Sequence, residues 1–342
     1  MPHSDLTHFP PPPPGKFGWP WTISSSTESE TGLFSGKIWP KLSIVTPSFN
    51  QGRFIEETIR SVLLQGYPNL EYIIIDGGSN DDSEEIIRKY SSWLHYWIRE
   101  PDTGQSNAIN KGFNKATGWL YGYINSDDLY EQNALVNIAR HFGGNPSPDL
   151  VAGICTVFDD GGVKRRFEPH WPDEISHFVT TTFSSTFGQP ASFWTADLYR
   201  KVGGFDESLS YCFDRDFFLK AGLSGVFPLM IPVRIARFRE HPHSKSFSNV
   251  IEFHKESIRL LSKHGTACGL SSMEKKKYEQ IMRNEIAYEQ TFSVWRDKGR
   301  SEAMLSFLRM ILESPPLLFQ RKVLGQMRRL LFFRSRDVAE LK

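Results

Sequence analysis

Residues 42–81 read LSIVTPSFNQGRFIEETIRSVLLQGYPNLEYIIIDGGSND, and this stretch decides the fold class. The apolar run from Leu42 to Val45 has strand character and is broken by Pro47 and Asn50. Phe54, Ile55, Thr58, Ile59, Val62 and Leu63 then recur at helical spacing until Gly66 and Pro68, and a second apolar run, Leu70 to Ile75, ends at Asp76. Strand, helix and strand of these lengths predict a right-handed βαβ unit with parallel strands.

The same alternation continues. A helix capped by Asp82 or Ser83 carries Ile86, Ile87 and Tyr90, and a third strand is expected over 94–99. Ser106 or Asn107 caps a helix from Ala108 to Lys115, a fourth strand spans 120–124, and a further helix is expected over 131–141. Beyond Asp149 the pattern degrades into short strands, with one helix through Phe217, Phe218 and Leu219. From about Val250 the signals are helical, interrupted near Gly265–Gly269 and at Pro315–Pro316. The expected organisation is therefore a Pro-rich extended or disordered arm over 1–38, an α/β domain over 39–248 with its halves meeting at 148/149, and a helical extension over 249–342.

Lys and Arg total 40 against 39 for Asp and Glu, so no overall field favours nucleic acid as a partner. The cysteines Cys155, Cys212 and Cys268 are odd in number and form no CxxC pair, which suits a reducing compartment rather than a disulfide framework or a thiolate zinc site. No apolar run approaches the roughly 18 residues needed to span a bilayer. A cytoplasmic protein is expected, either free or held peripherally on the cytosolic face of a membrane. Over 317–333, Val323, Leu324, Met327, Leu330 and Leu331 share one helical face with Arg321, Lys322, Arg328 and Arg329 opposite, a pattern that suits either an anionic membrane surface or an ordinary packing helix.

Four polar clusters close the strand-like segments: Pro47-Ser48-Phe49-Asn50, Asp76-Gly77-Gly78-Ser79-Asn80-Asp81, Glu100-Pro101-Asp102 and Asn125-Ser126-Asp127-Asp128. One acid at a strand-to-helix turn is ordinarily a cap. Several brought together at the strand ends of an open sheet repel one another unless a cation joins them. Asp127 and Asp128 are the candidate ligands of a hard ion, Mn²⁺ or Mg²⁺, which would in turn bind substrate phosphates. Neither GxGxxG after the first strand nor GxxxxGK[ST] occurs, which excludes the usual dinucleotide and P-loop sites.

From Lys41 to about His243 the ordered set of clusters resembles family 2 glycosyltransferases, inverting enzymes of the GT-A fold, of the bacterial polysaccharide-biosynthesis type. The resemblance implies a mostly parallel nucleotide-binding sheet flanked by helices. It implies that Pro47, Phe49, Asn50, Asp76, Gly78, Ser79, Asp81, Glu100, Asp102, Asn125 and Ser126 bind the donor nucleotide. Asp127 and Asp128 stand at the metal-binding DxD, with neutral Asn125 in its first place, and Gly77 stands where the base loop usually carries a second acid. Phe213-Asp214-Arg215-Asp216 resembles the segment holding the catalytic base, with Asp214 or Asp216 as that base. Gln189 and Trp194 resemble acceptor-pocket residues, and His241 or Lys245 is placed to meet the diphosphate. The implied substrates are a nucleotide-diphosphate sugar and a glycan or lipid-linked acceptor. A sugar nucleotidyltransferase, or a silent nucleotide-sugar-binding scaffold, are the alternatives.

Overall fold

The computed structural model describes residues 9–25, 39–143, 147–180, 188–242, 244–245 and 249–313. The chain divides into two compact units, Met1–Glu174 with Ser184–His241, and Ile175–Phe183 with Pro242–Lys342. The segment 317–333 lies outside the described residues.

In the first unit, β1 (Leu42–Ser48) is buried along its whole length and is paired on both edges, with β2 (Leu70–Asp76) on one side and β4 (Leu120–Tyr123) on the other, both parallel to it. Such a strand has no wet face, and its apolar run reflects that. The crossovers are α1 (Ile55–Leu63), α2 (Ser83–Lys89) and α3 (Gln105–Phe113). β3 (Tyr96–Arg99) extends the parallel set beyond β2. It starts later than the apolar run suggests because Ser91–Trp93 close a 3-10 turn first.

Beyond β4 the pairing becomes mixed, through β5 (Leu129–Tyr130), α4 (Ala134–Phe142), β6 (Leu150–Asp159) and β7 (Gly162–Phe167). In the second unit lies the short helix α5 (His177–Thr180); the first unit resumes with β8 (Ser192–Thr195), α6 (Ala196–Val202), α7 (Phe213–Leu223) and β9 (Leu229–Arg239). The strand order is β3-β2-β1-β4-β8-β6-β9-β5, with β7 paired to β6. β8 runs antiparallel to both β4 and β6, whereas β9 is parallel to β6. The expected helix over 131–141 begins only at Ala134, since Leu129 and Tyr130 pair antiparallel with Arg237 and Ala236 of β9. That partner lies about a hundred residues away, beyond any local pattern.

The apolar faces of α1, α2 and α4 close over Ile44, Tyr72, Ile74, Leu120 and Phe193 to make the main core. The second unit stacks α5, α8 (Val250–His264), α9 (Ser272–Lys298) and α10 (Arg300–Glu313) on one another in turn. Among the described residues no helix is long and apolar enough to cross a membrane.

Residues 9–25 carry no helix or strand, yet they are not a solvated arm. Phe9 and Trp21 are buried, and the Phe9 ring stacks on Trp93 at 5.0 Å. The cause is Arg60 on α1, 1 % exposed, whose guanidinium donates to the carbonyls of Pro10 (2.9 Å), Pro20 (3.1 Å) and Trp21 (2.8 Å) and to the Tyr90 hydroxyl (3.0 Å). An arginine fork can be buried when every donor finds an oxygen, and this strap supplies most of them.

Candidate active site

The polar clusters after β1 and β2 are knitted into one shelf. Asn50, at φ 53°, donates its N–H to Ser79 Oγ (2.7 Å) and accepts the N–H of Asn80 at its Oδ1 (2.9 Å). Gly52 N–H and Ser83 N–H donate to the two oxygens of Asp81 (2.8 and 3.0 Å). Partial burial pushes the Asp81 carboxyl up, but hydrogen bonds from Ser83 and Gly52 outweigh it and hold it below the usual range.

Asp76 is wholly buried, and both its oxygens are engaged by Ser79, Oδ1 by the hydroxyl (2.6 Å) and Oδ2 by the N–H (2.8 Å). Asp76 and Ser79 are thus tied to each other. They build the loop, and Gly78 at φ 88° turns it. Pro47 is buried at the end of β1, whereas Phe49, 59 % exposed, stands on the rim. Glu100 pairs with Lys111 on α3 at 2.8 Å.

The turn Asn125–Asp128 closes with a bond from Asp128 N–H to Asn125 O (3.1 Å). Gln105, on the first turn of α3, donates to Asn125 Oδ1 (2.6 Å), and Asn125 Nδ2 donates to Asp128 Oδ2 (3.1 Å); Ser126 is buried in the same turn. Arg239, at the end of β9, donates its N–H to Asp128 Oδ1 (2.9 Å), its Nε to Asp127 O (2.9 Å) and its Nη2 to Glu57 (2.8 Å). Thr58 Oγ1 donates to Asp128 O (2.7 Å). Burial, and then the charge of Asp127, push the Asp128 carboxyl well above the carboxylate range.

Asp128, expected as an ion ligand, holds the turn together, each of its oxygens accepting one hydrogen bond. Asp127 is the other expected ligand, and its Oδ2 faces His241 Nε2 at 2.9 Å. An oxygen and a nitrogen so placed suit a divalent ion completed by waters and phosphate oxygens. Among the described residues no group of three or more His, Cys, Asp or Glu side chains is disposed around one ion.

Tyr123 of β4 is wholly buried, and burial, then the charges of Asp214 and Asp128, raise its phenol well above the ordinary value. Asp214 sits in the first turn of α7, half-buried, accepting the N–H of Arg215 (2.7 Å). Asp216 is wholly buried and ion-paired with Lys220 at 3.0 Å, so it is no candidate for a base that must reach a substrate. Gln189 donates to Tyr123 O (2.9 Å) and fixes the end of β4. Trp194 is likewise wholly buried, ringed by Phe113, Tyr123, Phe205, Phe217 and Phe218. It is core, not a platform for a sugar. Lys245 belongs to the second unit.

Sequence reading missed Arg239, Gln105 and Thr58. No local signal sets Arg239 apart, since Arg234 and Arg237 lie in the same strand.

A mixed sheet with its polar loops gathered at the carboxyl ends of β1 to β4 is the layout of a GT-A type nucleotide-sugar fold with a helical C-terminal region. Residues 43–201 match the sequence profile described as Glycosyl transferase family 2. An uncharacterized glycosyltransferase of Mycobacterium tuberculosis, MT1564, is 31% identical over 188 residues, covering 54% of this chain and 70% of that protein. The putative teichuronic acid biosynthesis glycosyltransferase TuaG of Bacillus subtilis is 34% identical over 141 residues, 40% of this chain and 56% of its own. Among solved structures, TarS 1-349 of S. aureus in complex with UDP superposes with a TM-score of 0.55 at 16% identity, over 88% of this chain and 92% of that one. PcManGT, a mannosyltransferase from Pyrobaculum calidifontis in complex with GDP-Man and Mn2+, does so with a TM-score of 0.50 at 14% identity, over 91% and 92%. The chain belongs to glycosyl transferase family 2 and is a glycosyltransferase.

Proposed function

We propose that this chain transfers a sugar, with inversion, from a nucleotide-diphosphate sugar to a hydroxyl of a glycan or lipid-linked acceptor in polysaccharide biosynthesis, assisted by Mn²⁺ or Mg²⁺. The observation that carries it is the facing pair Asp127 Oδ2 and His241 Nε2, 2.9 Å apart beside the carboxyl end of β4, with the charge of Asp214 converging on Tyr123 of the same strand. The nucleotide sugars named with the fold's solved relatives, UDP-GlcNAc for TarS and GDP-Man with Mn2+ for PcManGT, support a donor of this class.

Asp127 and His241 would hold the ion, which when bound neutralises the charge gathering on the departing diphosphate. Arg239 fixes Asp127 through its carbonyl, so the carboxylate meets the diphosphate from a pre-set position. Asp214 takes the proton from the acceptor hydroxyl as that oxygen bonds to the anomeric carbon and the bond to the diphosphate breaks. Asp128, Asn125 and Gln105 keep the turn rigid.

Incubation with a panel of sugar nucleotides and Mn²⁺ tests this. Release of nucleoside diphosphate in step with glycoside formation is expected. Pyrophosphate release would indicate a nucleotidyltransferase instead, and binding without turnover a scaffold.

A further inference from the structure

In the second unit α10 is apolar on two faces. Ala303 and Phe307 are buried, and Ser306 Oγ lies 3.3 Å from Thr291 Oγ1 of α9, so this side of the helix is the one packed on its neighbour. A helix in water ordinarily keeps the opposite side polar. Here Leu305, Leu308 and Leu312 occupy it instead. They stand three and four residues apart, and so in one row, with exposures of 53 %, 50 % and 80 %. The row runs about 10 Å along the helix. Glu302 and Arg309, both exposed, border it and balance each other in charge. A single exposed leucine needs no explanation, whereas a row of three along one helix face does.

The chain next to the row says what meets it. Lys and Arg balance Asp and Glu over the whole protein, 40 against 39, yet residues 314–336, SPPLLFQRKVLGQMRRLLFFRSR, hold six cations and no acid. These residues lie outside those described, but their composition is plain: cations set among leucines and phenylalanines. Leu312 stands two residues before this segment, so the leucine row and the cations adjoin. A bilayer with anionic headgroups answers both at once. The leucines enter the boundary between headgroups and acyl chains, and the cations lie in the negative surface potential. A second copy of the chain would set its own six cations against these, which repels. Nucleic acid would meet the cations and leave the leucines in water.

We infer that this end of the second unit is a membrane-docking surface, with Leu305, Leu308 and Leu312 entering an anionic lipid layer and residues 314–336 binding its headgroups. Stable peripheral attachment takes two signals, and apolar insertion next to a basic segment supplies both. The inference does not rest on the transfer chemistry proposed above.

Flotation of the full chain with vesicles of phosphatidylcholine, with and without phosphatidylglycerol, tests it and needs no substrate. Each Lys or Arg held near an anionic surface contributes about fivefold to partitioning, so anionic vesicles should carry at least about tenfold more protein than neutral ones, and salt should release it. The triple change Leu305→Ser, Leu308→Ser and Leu312→Ser should lower binding at least about tenfold, with the melting temperature and the molecular mass in solution unchanged, because these side chains bury little in the folded chain. Arg328→Gln with Arg329→Gln should lower it by about tenfold or more and reduce the preference for phosphatidylglycerol. Equal binding to both kinds of vesicle would overturn the inference, and so would a leucine variant that floats as well as the unmodified chain, since the cations would then act alone on any polyanion. A leucine variant that melts earlier, or that passes from dimer to monomer by light scattering, would assign the row to the chain's own tail or to a second copy and overturn it likewise.

Discussion

Replacing Arg60 by methionine removes four hydrogen bonds from a charged donor, at 2.8 to 3.1 Å, while keeping most of the side chain's volume. Each such bond contributes about 1.5–3 kcal/mol in isolation, but the four are not additive because they fix one segment. The three carbonyls left behind escape burial if the strap peels into water, so the loss is capped by what docking of the strap contributes. Its apolar anchors, Phe9 and Trp21, each bring about 2–3 kcal/mol of burial, partly offset by the ordering of the segment. A net loss of about 3–5 kcal/mol is expected for Arg60→Met, as for other broken buried charge networks. Urea unfolding measures it, and proteolysis at the exposed Phe17 should accelerate as the strap detaches. Arg60→Lys should fall between, since one ammonium cannot reach four oxygens. Donor affinity should drop as well: Trp19 Nε1 donates to Tyr130 O at 2.9 Å, and Asn133 N–H to Ser25 Oγ at 3.0 Å, just beyond the Asn125–Asp128 turn. An Arg60→Met chain with unchanged unfolding midpoint and unchanged cleavage would refute the idea that Arg60 tethers the strap.

Other consequences concern the acids. Burial raises the Glu71 carboxyl, but hydrogen bonds from Lys41, Ser43 and Thr117 more than compensate and bring it down to about 2 from 4.5. Its contribution is therefore complete above about pH 4.5 and is lost as pH falls toward 2, at most about 3 kcal/mol, and Glu71→Gln should flatten stability against pH across that window in acid titrations followed by circular dichroism. Asp214→Asn should abolish transfer with donor binding retained, whereas Asp216→Asn should chiefly lower the melting temperature; full activity in Asp214→Asn would move the base elsewhere. His241→Gln and Asp127→Asn should each raise the Mn²⁺ concentration needed for half-maximal donor binding by at least about tenfold, and unchanged metal dependence in both would remove the ion from this site. Trp194→Ala should cost about 3–5 kcal/mol in unfolding free energy, as for a large core aromatic, and a marginal loss would mean that the ring is not packed as described.

The alternation from Leu42 to Ile124 was enough to establish the parallel β1–β4 set, because buried parallel strands and their crossover helices write distinct periods into the chain. The same passage located the loops at the strand ends. What each acid does there was not legible. Asp76, Asp128 and Asp216 look like site residues in one dimension, and in three each is buried and tied to its neighbours, Asp76 to Ser79, Asp128 to Asn125 and Arg239, and Asp216 to Lys220. Trp194 is a similar case, since a sugar platform and a core ring share one residue type. The docking of the strap was not legible for the opposite reason: its proline-rich composition signals no period, and Arg60, which ties it down, lies 35 residues or more downstream.

The sequence by itself determined the class of fold and the family, since both depend on local periodicity and on short motifs in fixed order. Only the tertiary structure decided which carboxylates remain open to a ligand. β9 brings Arg239 and His241 against the Asn125–Asp128 turn by pairing with β5, and Gly77 admits Asp102 from a different loop. Burial and hydrogen-bond saturation are properties of neighbours in space, and a carboxylate's chemistry depends on which of its oxygens those neighbours leave open.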